Sequence, residues 1–519
     1  MATNSPQDAP LEALEPFDEH NRRLLGEVHP QTWENPTPDG RYHLVVVGAG
    51  TAGLVTAAIA SSLGARVALV EKGLMGGDCL NVGCVPSKGV IGAARAWHAA
   101  RRAHEDFGGP RVAAGDAAPG DFGFAMERMR RLRADISAID GARRFRDELG
   151  VDVYLGHGRF IAGDALEVDG RRLEFRTAVV ATGARAAAPP IDGLADVGYR
   201  TNETIFSLTE LPRRLGVIGG GPIGCELGQS FARFGSEVTL FQQGAHVLSR
   251  EDQDASELVE RALRRDGVDL RCGTRVVSVA RRGAAIVVTV EREDGSARDE
   301  IEVDELLVAA GRAPNVEDLG LEAAGVEYDR RGIDVDDRLR TSSSSVYAIG
   351  DVASAIKLTH LSDAHARMVV RNALFFGRQR VSDLVVPWCT YTSPEVAHVG
   401  YYADDAREAG YEVETLTIEL ADNDRARLEG EDEGFLRVHL KKGTDTILGG
   451  SLVAARAGDM VVPLALAATH GIGLSKFSDT IIPYPTQGEV YRRAGDMYNR
   501  RKLTPMAEKI FAWWFKLLS

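Results

Sequence analysis

Cys79 and Cys84 stand with four residues between them in the stretch Gly76-Gly77-Asp78-Cys79-Leu80-Asn81-Val82-Gly83-Cys84-Val85-Pro86-Ser87-Lys88. A thiol pair with a cation nearby can do dithiol redox chemistry, because the thiolate is the reactive form and positive charge favours it. The run after Cys84 is well placed to start a helix, whose N-terminus adds to that effect. Two thiolates are too few for a structural zinc site, and Cys225, Cys272 and Cys389 lack ligand spacing. Those three are expected to be small buried hydrophobes, so no resident metal is expected.

The pair must be positioned by what surrounds it. Upstream, Leu44-Val45-Val46-Val47 is a continuous apolar run, as in a strand buried on both faces. Gly48-Ala49-Gly50-Thr51-Ala52-Gly53 follows, then a helix-like stretch to Leu63 and a second strand ending at Glu71, 23 residues after Gly48. This is G-x-G-x-x-G in its strand–turn–helix setting. Gly48 permits the tight turn, Gly50 lets a pyrophosphate approach, Gly53 lets helix and strand pack, and Glu71 suits a ribose hydroxyl. The unit then recurs. Leu215–Ile218 leads into Gly219-Gly220-Gly221-Pro222-Ile223-Gly224, 171 residues after the first copy, and Val238–Phe241 ends before Gln242. Two such units imply two dinucleotides.

Other elements support the same plan. Thr177–Ala184 reads as a strand entering a turn at Thr182-Gly183, and Leu306–Arg312 echoes it with Gly311. Val346–Asp351 is a strand ending in Gly350-Asp351, a carboxylate suited to a sugar or ribityl hydroxyl. A Gly/Ala/Pro-rich surface loop is expected near 105–122, and an amphipathic helix over 126–149 with its arginines on the wet face. From about Val385 the pattern changes to alternating strands and then helices, a separate α+β domain. The aromatic tail Met506–Ser519 is read as packing on the body, with a subunit contact or a membrane surface through Phe511–Leu518 as alternatives.

Bulk properties bound the function. At 519 residues, two to four domains are expected. A formal charge of −14 excludes nucleic acid as a main partner. Five cysteines make no structural disulfide framework and suit a reducing, cytoplasmic compartment. Residues 1–19 do not read as a signal peptide, and no apolar run approaches a membrane span.

The order of first fingerprint, Cys79-x4-Cys84-Val-Pro-Ser-Lys88, second fingerprint, Gly350-Asp351 and mixed C-terminal domain resembles the flavoprotein disulfide reductases: lipoamide dehydrogenase, glutathione reductase and mercuric reductase. Within them the chain looks most like mercuric-reductase-type proteins. The resemblance implies an α/β fold of two Rossmann-like dinucleotide-binding domains, glutathione reductase-like, plus a C-terminal α+β dimerisation domain. The implied division is an extension at 1–41, FAD-binding segments at 42–190 and 311–384, an NAD(P)H-binding domain at 191–310, an interface domain at 385–500 and a tail at 501–519. It also implies a homodimer in which FAD takes Gly48, Gly50, Gly53, Glu71, Thr182, Gly183, Gly350 and Asp351, while NAD(P)H takes Gly219, Gly221, Gly224, Gln242 and Gly311. Cys79 and Cys84 become a redox-active disulfide. Cys84 faces the flavin as the charge-transfer thiolate, Cys79 meets substrate, and Lys88 sits by the flavin paired with Glu226.

The chain departs from the pattern near its end. Members acting on disulfides carry His-Pro-Thr-x-x-Glu, whereas here Tyr484-Pro485-Thr486-Gln487-Gly488-Glu489 keeps the acid and replaces the base. A phenol is a poor base at neutral pH. Mercuric reductases place a tyrosine facing the metal, yet also end in a cysteine pair, and no cysteine follows Cys389 here. The acceptor is expected to be a metal ion or small electrophile. A dithiol–disulfide reductase and a redox-responsive, membrane-peripheral binding protein are the alternatives. Gln242 stands where an acid would favour NADH, so NADPH is preferred over NADH.

Overall fold

A computed structural model describes residues 14–109, 120–292, 295, 298–501 and 503–518. Two compact units emerge: Met1–Gln243 with Gly267–Asp383, and Gly244–Asp266 with Leu384–Ser519.

In the first unit the apolar run at 44–47 is the centre of a sheet. Strand Tyr42–Val47 lies between Val67–Glu71 and Arg171–Val180, all parallel, with Val45 opposite both Ala68 and Ala178. Asp152–Leu155 extends one side, and Val346–Ala348 pairs with the far edge of Arg171–Val180. The first half of that long strand turns instead to an antiparallel meander with Ala165–Val168 and Gly158–Ala162. Val45, Val47, Ala178 and Val180 are fully or almost fully buried in one core, which is why these residues need no polar alternation.

A second sheet has the same plan. Its four parallel strands run in the order Asp269–Arg271, Glu237–Phe241, Arg214–Ile218, Glu305–Val308, with Val217 opposite Leu240 and Leu307. A three-stranded antiparallel sheet, Thr274–Arg282, Ala285–Arg292 and Arg298–Val303, packs its apolar side into the same core. Helix Cys84–Phe107 lies against helix Pro222–Phe234, where Trp97 meets Phe234 edge-on at 4.9 Å.

In the extension, helix Glu19–Val28 buries Asn21, Leu24, Leu25 and Val28 and packs on helix Phe122–Ser137. Two expectations need correction. The arginine-rich segment is not one helix to Leu149 but Phe122–Ser137, a short 3-10 turn and Ala142–Asp147, and Arg130 and Arg133 are buried rather than wet. Their places follow the stripe of Met126, Met129, Ala134 and Ser137, so periodicity prevails over charge. The tail forms helix Pro505–Leu518 with Met506, Ile510, Phe511, Trp513, Trp514 and Phe515 all exposed, so it does not pack on the body. The expected loop falls largely on 110–119, outside the described residues; helix Cys84–Phe107 occupies its start.

The second unit is a five-stranded antiparallel sheet, Pro387–Thr390, Glu395–Gly400, Ile447–Ala454, Phe435–Lys441 and Val413–Glu419, with helices on it. Segment 244–266, expected with the second dinucleotide unit, is tied into this sheet. Arg437 Nη1 lies 2.8 Å from Asp252 Oδ2, and Glu251 accepts from Trp388 Nε1 at 2.8 Å and Tyr402 Oη at 2.7 Å. Among the described residues, no helix is long and apolar enough to cross a membrane.

Candidate active site

The two glycine turns are alike to the atom. Gly48 and Gly219 adopt φ of +103° and +109°. A Cβ there would come 2.4 Å from the Ala181 carbonyl oxygen and 2.7 Å from that of Ala309. Gly50 and Gly221 begin helices Thr51–Ser62 and Pro222–Phe234 with no side chain capping the helix N–H groups. Each is therefore a terminus suited to a phosphate. Glu71 Oε2 accepts the Ala49 amide at 2.6 Å and Oε1 that of Gly73 at 2.7 Å. Gln242 Oε1 accepts the Gly220 amide at 2.9 Å. Burial pushes the Glu71 carboxyl up, against these bonds.

The thiol segment closes over the first turn. Gly76 and Gly77 take φ of +86° and +56°, and a Cβ on Gly77 would come 2.6 Å from Gly50 Cα. Helix Gly77–Asn81 then carries Cys79, and Cys84 is the first residue of helix Cys84–Phe107. Both cysteines are free thiols, Cys79 half-buried and Cys84 exposed. Cys79 adjoins the Cys84 sulfur, and Thr359 Oγ1 lies 3.3 Å from the latter. The Cys84 thiol is lowered to about 6, first by the Cys79 hydrogen bond, then by Thr359 and the Lys88 charge, against desolvation and Asp78. Cys79 is pushed up by that same bond and by burial. Lys88 Nζ sits 2.9 Å from Glu226 Oε2, which is almost fully buried. The geometry thus brings Cys79, Cys84, Lys88 and Glu226 together, and the thiolate is favoured at Cys84 over Cys79.

A charged cluster adjoins the pair. Arg312 Nη2 lies 3.4 Å from Asp78 Oδ2 and 3.7 Å from Asp351 Oδ2, and donates to the Ala184 carbonyl at 2.8 Å. Lys357 Nζ donates to the Asp351 carbonyl at 2.6 Å. Burial raises the Asp351 carboxyl, against Arg312 and Lys357. Arg312 Nε is buried with no hydrogen-bond partner among the described residues. Thr182 and Gly183 face Asn315 across the ribbon of Ala184–Ala186 and Arg312–Pro314; Thr182 Oγ1 donates to the Asn315 carbonyl at 2.7 Å. Gly311 accepts the Ala187 amide at 3.1 Å, and Gly350 (φ +71°) heads a 3-10 turn. The uncapped helix start, the glycine cradle, the buried carboxylate and the orphaned guanidinium Nε fit a flavin dinucleotide.

Tyr484 and Glu489 lie in the other unit. Tyr484 is 69% exposed, and its hydroxyl donates to Asp424 Oδ2 at 3.1 Å rather than to Glu489. That bond raises the phenol further. Glu489 opens helix Glu489–Arg500, buried, with Arg492 Nη2 2.7 Å from Oε1 and Oε2 unpartnered among the described residues. Of the other cysteines, only Cys225 is buried; Cys272 and Cys389 are half-buried. No group of three or more metal-ligating side chains occurs among the described residues. Sequence reasoning missed Thr359, Lys357 and the Asp78–Arg312 contact. The signal was a hydroxyl opening a helix soon after Gly350-Asp351, but nothing in the chain says that it meets Cys84.

Comparison with known proteins identifies the family. The family model described as pyridine nucleotide-disulphide oxidoreductase matches residues 42–366, and that of its dimerisation domain matches 386–494. The chain is 32% identical to a mercuric reductase of Staphylococcus aureus over 482 residues, 92% of this chain and 86% of that one. It is 33% identical to a dihydrolipoyl dehydrogenase of Thermus scotoductus over 473 residues, 89% and 98% of the two chains. Its fold is similar to that of the HOCl-induced flavoprotein disulfide reductase RclA of Escherichia coli, solved as a Cu(II) complex, with a TM-score of 0.76, 29% identity and coverage of 87% and 98%.

Proposed function

Since the chain belongs to the pyridine nucleotide-disulphide oxidoreductase family, we propose that it is a homodimeric enzyme that moves electrons from NAD(P)H through FAD and the Cys79/Cys84 pair to a metal ion or small electrophile. The observation that carries this reading is the placement of Cys84: a free thiol opening a helix, with Thr359 Oγ1 3.3 Å away and Lys88, held by Glu226, one turn further on. The chemistry supplied by bound FAD is two-electron transfer between the nicotinamide and the thiol pair.

The protein's own residues do the rest. Gly50 and the helix start behind it would receive the FAD pyrophosphate, with Gly48 and Gly53 keeping the turn tight; Glu71 holds the turn and would take a ribose hydroxyl with its remaining lone pairs, and Thr182, Gly183, Gly350 and Asp351 would line the cofactor's length. Gly219, Gly221, Gly224, Gln242 and Gly311 hold the coenzyme. Lys88 offsets negative charge beside the pair, and Glu226 fixes its ammonium. Cys84 stays a thiolate at neutral pH, while Cys79 keeps its proton and presents the sulfur that meets substrate. Two sulfurs form a soft donor set, matched to a thiophilic metal ion as substrate. Tyr484, tied to Asp424, offers no base near neutral pH for disulfide exchange. The Cu(II) complex of RclA and the mercuric reductases among the relatives support the metal reading. For the coenzyme, the neutral amide of Gln242 removes repulsion of a 2′-phosphate and supports NADPH.

The test is NAD(P)H oxidation by the purified holoenzyme with thiol-buffered Hg(II), Cu(II), oxidised lipoamide, glutathione disulfide and a quinone. Metal-dependent oxidation that disappears in Cys79→Ser and Cys84→Ser is expected. Activity intact in both variants would sink the dithiol route. Turnover with lipoamide alone, raised further by Tyr484→His, would make the chain a disulfide reductase.

The exposed aromatic helix Pro505–Leu518 favours one secondary reading, a peripheral contact with a membrane surface through Phe511–Leu518. Equal and negligible sedimentation with liposomes of full-length and 1–505 protein would remove it.

A further inference from the structure

Arg133 is among the most deeply buried large side chains, at 1% exposure, and its partners are unusual for a buried cation. Nη1 donates to the Asn81 carbonyl at 2.5 Å and Nη2 to Asn21 Oδ1 at 2.6 Å. Asn81 lies between Cys79 and Cys84, ending the short helix that carries Cys79. Asn21 lies on helix Glu19–Val28, before the family match begins at residue 42. The strut is anchored at its outer end. Asn21 Nδ2 donates to the carbonyls of Leu14 and Pro16 at 2.8 and 2.9 Å, and Arg130 Nε lies 2.6 Å from Asp18 Oδ2. The extension also grips the approach to the pair: His29 Nδ1 is 2.6 Å from the Gly73 carbonyl oxygen, and Met75 N donates to the Val28 carbonyl at 3.2 Å.

We infer that Arg133 is a positioning residue of the thiol pair, and that the extension at 14–33 is the brace through which it sets the pair's reduction potential. The inference rests on Cys79 and Cys84 being a redox couple, as proposed above. A charge removed from water needs close partners; burial and neighbouring Arg130 lower the Arg133 guanidinium to about 10, so it remains a cation at neutral pH. A planar fork that donates to two elements at once fixes their separation in a way an ammonium cannot. The element held is the loop that must bring two sulfurs into bonding distance. At neutral pH the couple is a thiol and a thiolate on one side, and a disulfide, one proton and two electrons on the other. A loop already held in shape loses less entropy when the S–S bond forms, so the brace favours the disulfide. Asn202 holds the same loop from another side, its Nδ2 3.2 Å from both Asp78 Oδ1 and the Val82 carbonyl oxygen, so a lost Arg133 loosens the loop without freeing it.

The experiment equilibrates full-length holoenzyme anaerobically with graded ratios of reduced to oxidised dithiothreitol. Free thiols are alkylated, and the Cys79/Cys84 peptides are read by mass spectrometry, which separates them from Cys225, Cys272 and Cys389. Arg133→Met is expected to shift the equilibrium towards the dithiol at least about tenfold, about 30 mV for a two-electron couple. Asn21→Leu should shift it in the same direction by less, and Asn21→Asp, which keeps an acceptor for Arg133 but loses the donations to Leu14 and Pro16, should shift it less than Asn21→Leu. If Arg133→Met does not fold or loses FAD, the Asn21 pair decides. Folded variants with lowered thermal stability but an unmoved equilibrium, or one moved towards the disulfide, overturn the inference and leave the proposed function standing. A wild-type pair that stays reduced at every ratio overturns both.

Discussion

The two dinucleotide units repeat one geometry with two differences. Each turns at a glycine of positive φ pressed against a carbonyl, and each ends its second strand in a side chain whose oxygen accepts an amide of the turn. In the first unit that oxygen belongs to a carboxylate, in the second to an amide. The turn therefore needs an acceptor at this position but not a charge. The second difference is what lies against the turn. Gly77 comes against Gly50 in the first unit, so turn and thiol segment share a wall; a Cβ on Gly221 would meet nothing within 4 Å. The first turn abuts the thiol segment directly, whereas the second opens the helix that brings Glu226 to Lys88.

The largest test of that contrast is alanine at the first glycine of each unit. Gly48→Ala should be purified without FAD and show no turnover. Gly219→Ala should keep its flavin absorbance while the KM for the coenzyme rises about tenfold or more, since a side chain in the left-handed region costs about 1–3 kcal/mol before any clash. Flavin loss in both, or in neither, would mean that the two turns are not separable. Smaller, and aimed at the pair that joins the units, is Lys88→Met. The Cys84 thiolate is present above about pH 6 and is lost as pH falls through that value. Removing the cation moves this loss to higher pH, so the labelling rate of Cys84 by iodoacetamide near pH 6.5 should fall roughly three- to tenfold and converge with wild type in alkali. An unchanged pH profile would detach Lys88 from the thiolate. Smallest is Gln242→Glu, which should raise the KM for NADPH roughly threefold or more over that for NADH with no loss of FAD. Equal effects on both coenzymes would show that the residue serves only the turn.

The glycine turns are legible in the sequence because their spacing is the geometry: strand, turn, helix and acceptor follow along one short stretch. The thiol site is less legible. Lys88 and Glu226 are 138 residues apart, and only the resemblance pairs them. Thr359 is 275 residues from Cys84, and a hydroxyl opening a helix carries no address. Arg130 and Arg133 are misread for the opposite reason, since the buried stripe of their helix is visible in the spacing of Met126, Met129, Ala134 and Ser137. A general expectation that arginine faces water obscures it. The tail misleads through composition alone: aromatic residues suggest burial, yet Trp513 and Trp514 are exposed.

The tie between Arg437 and Asp252 has a consequence for how this chain can be divided. The backbone passes between the two compact units at 243–244, at 266–267 and again at 383–384. A fragment ending at 383 would retain Asp252, Asp254 and Glu251 but lack Arg437, Trp388 and Tyr402, their partners. A fragment beginning at 384 would lack helix Gln253–Arg265 altogether. Neither piece is a self-sufficient module, so the C-terminal sheet cannot be exchanged between related chains by a single crossover at its border. The portable unit is the sheet together with its borrowed helix.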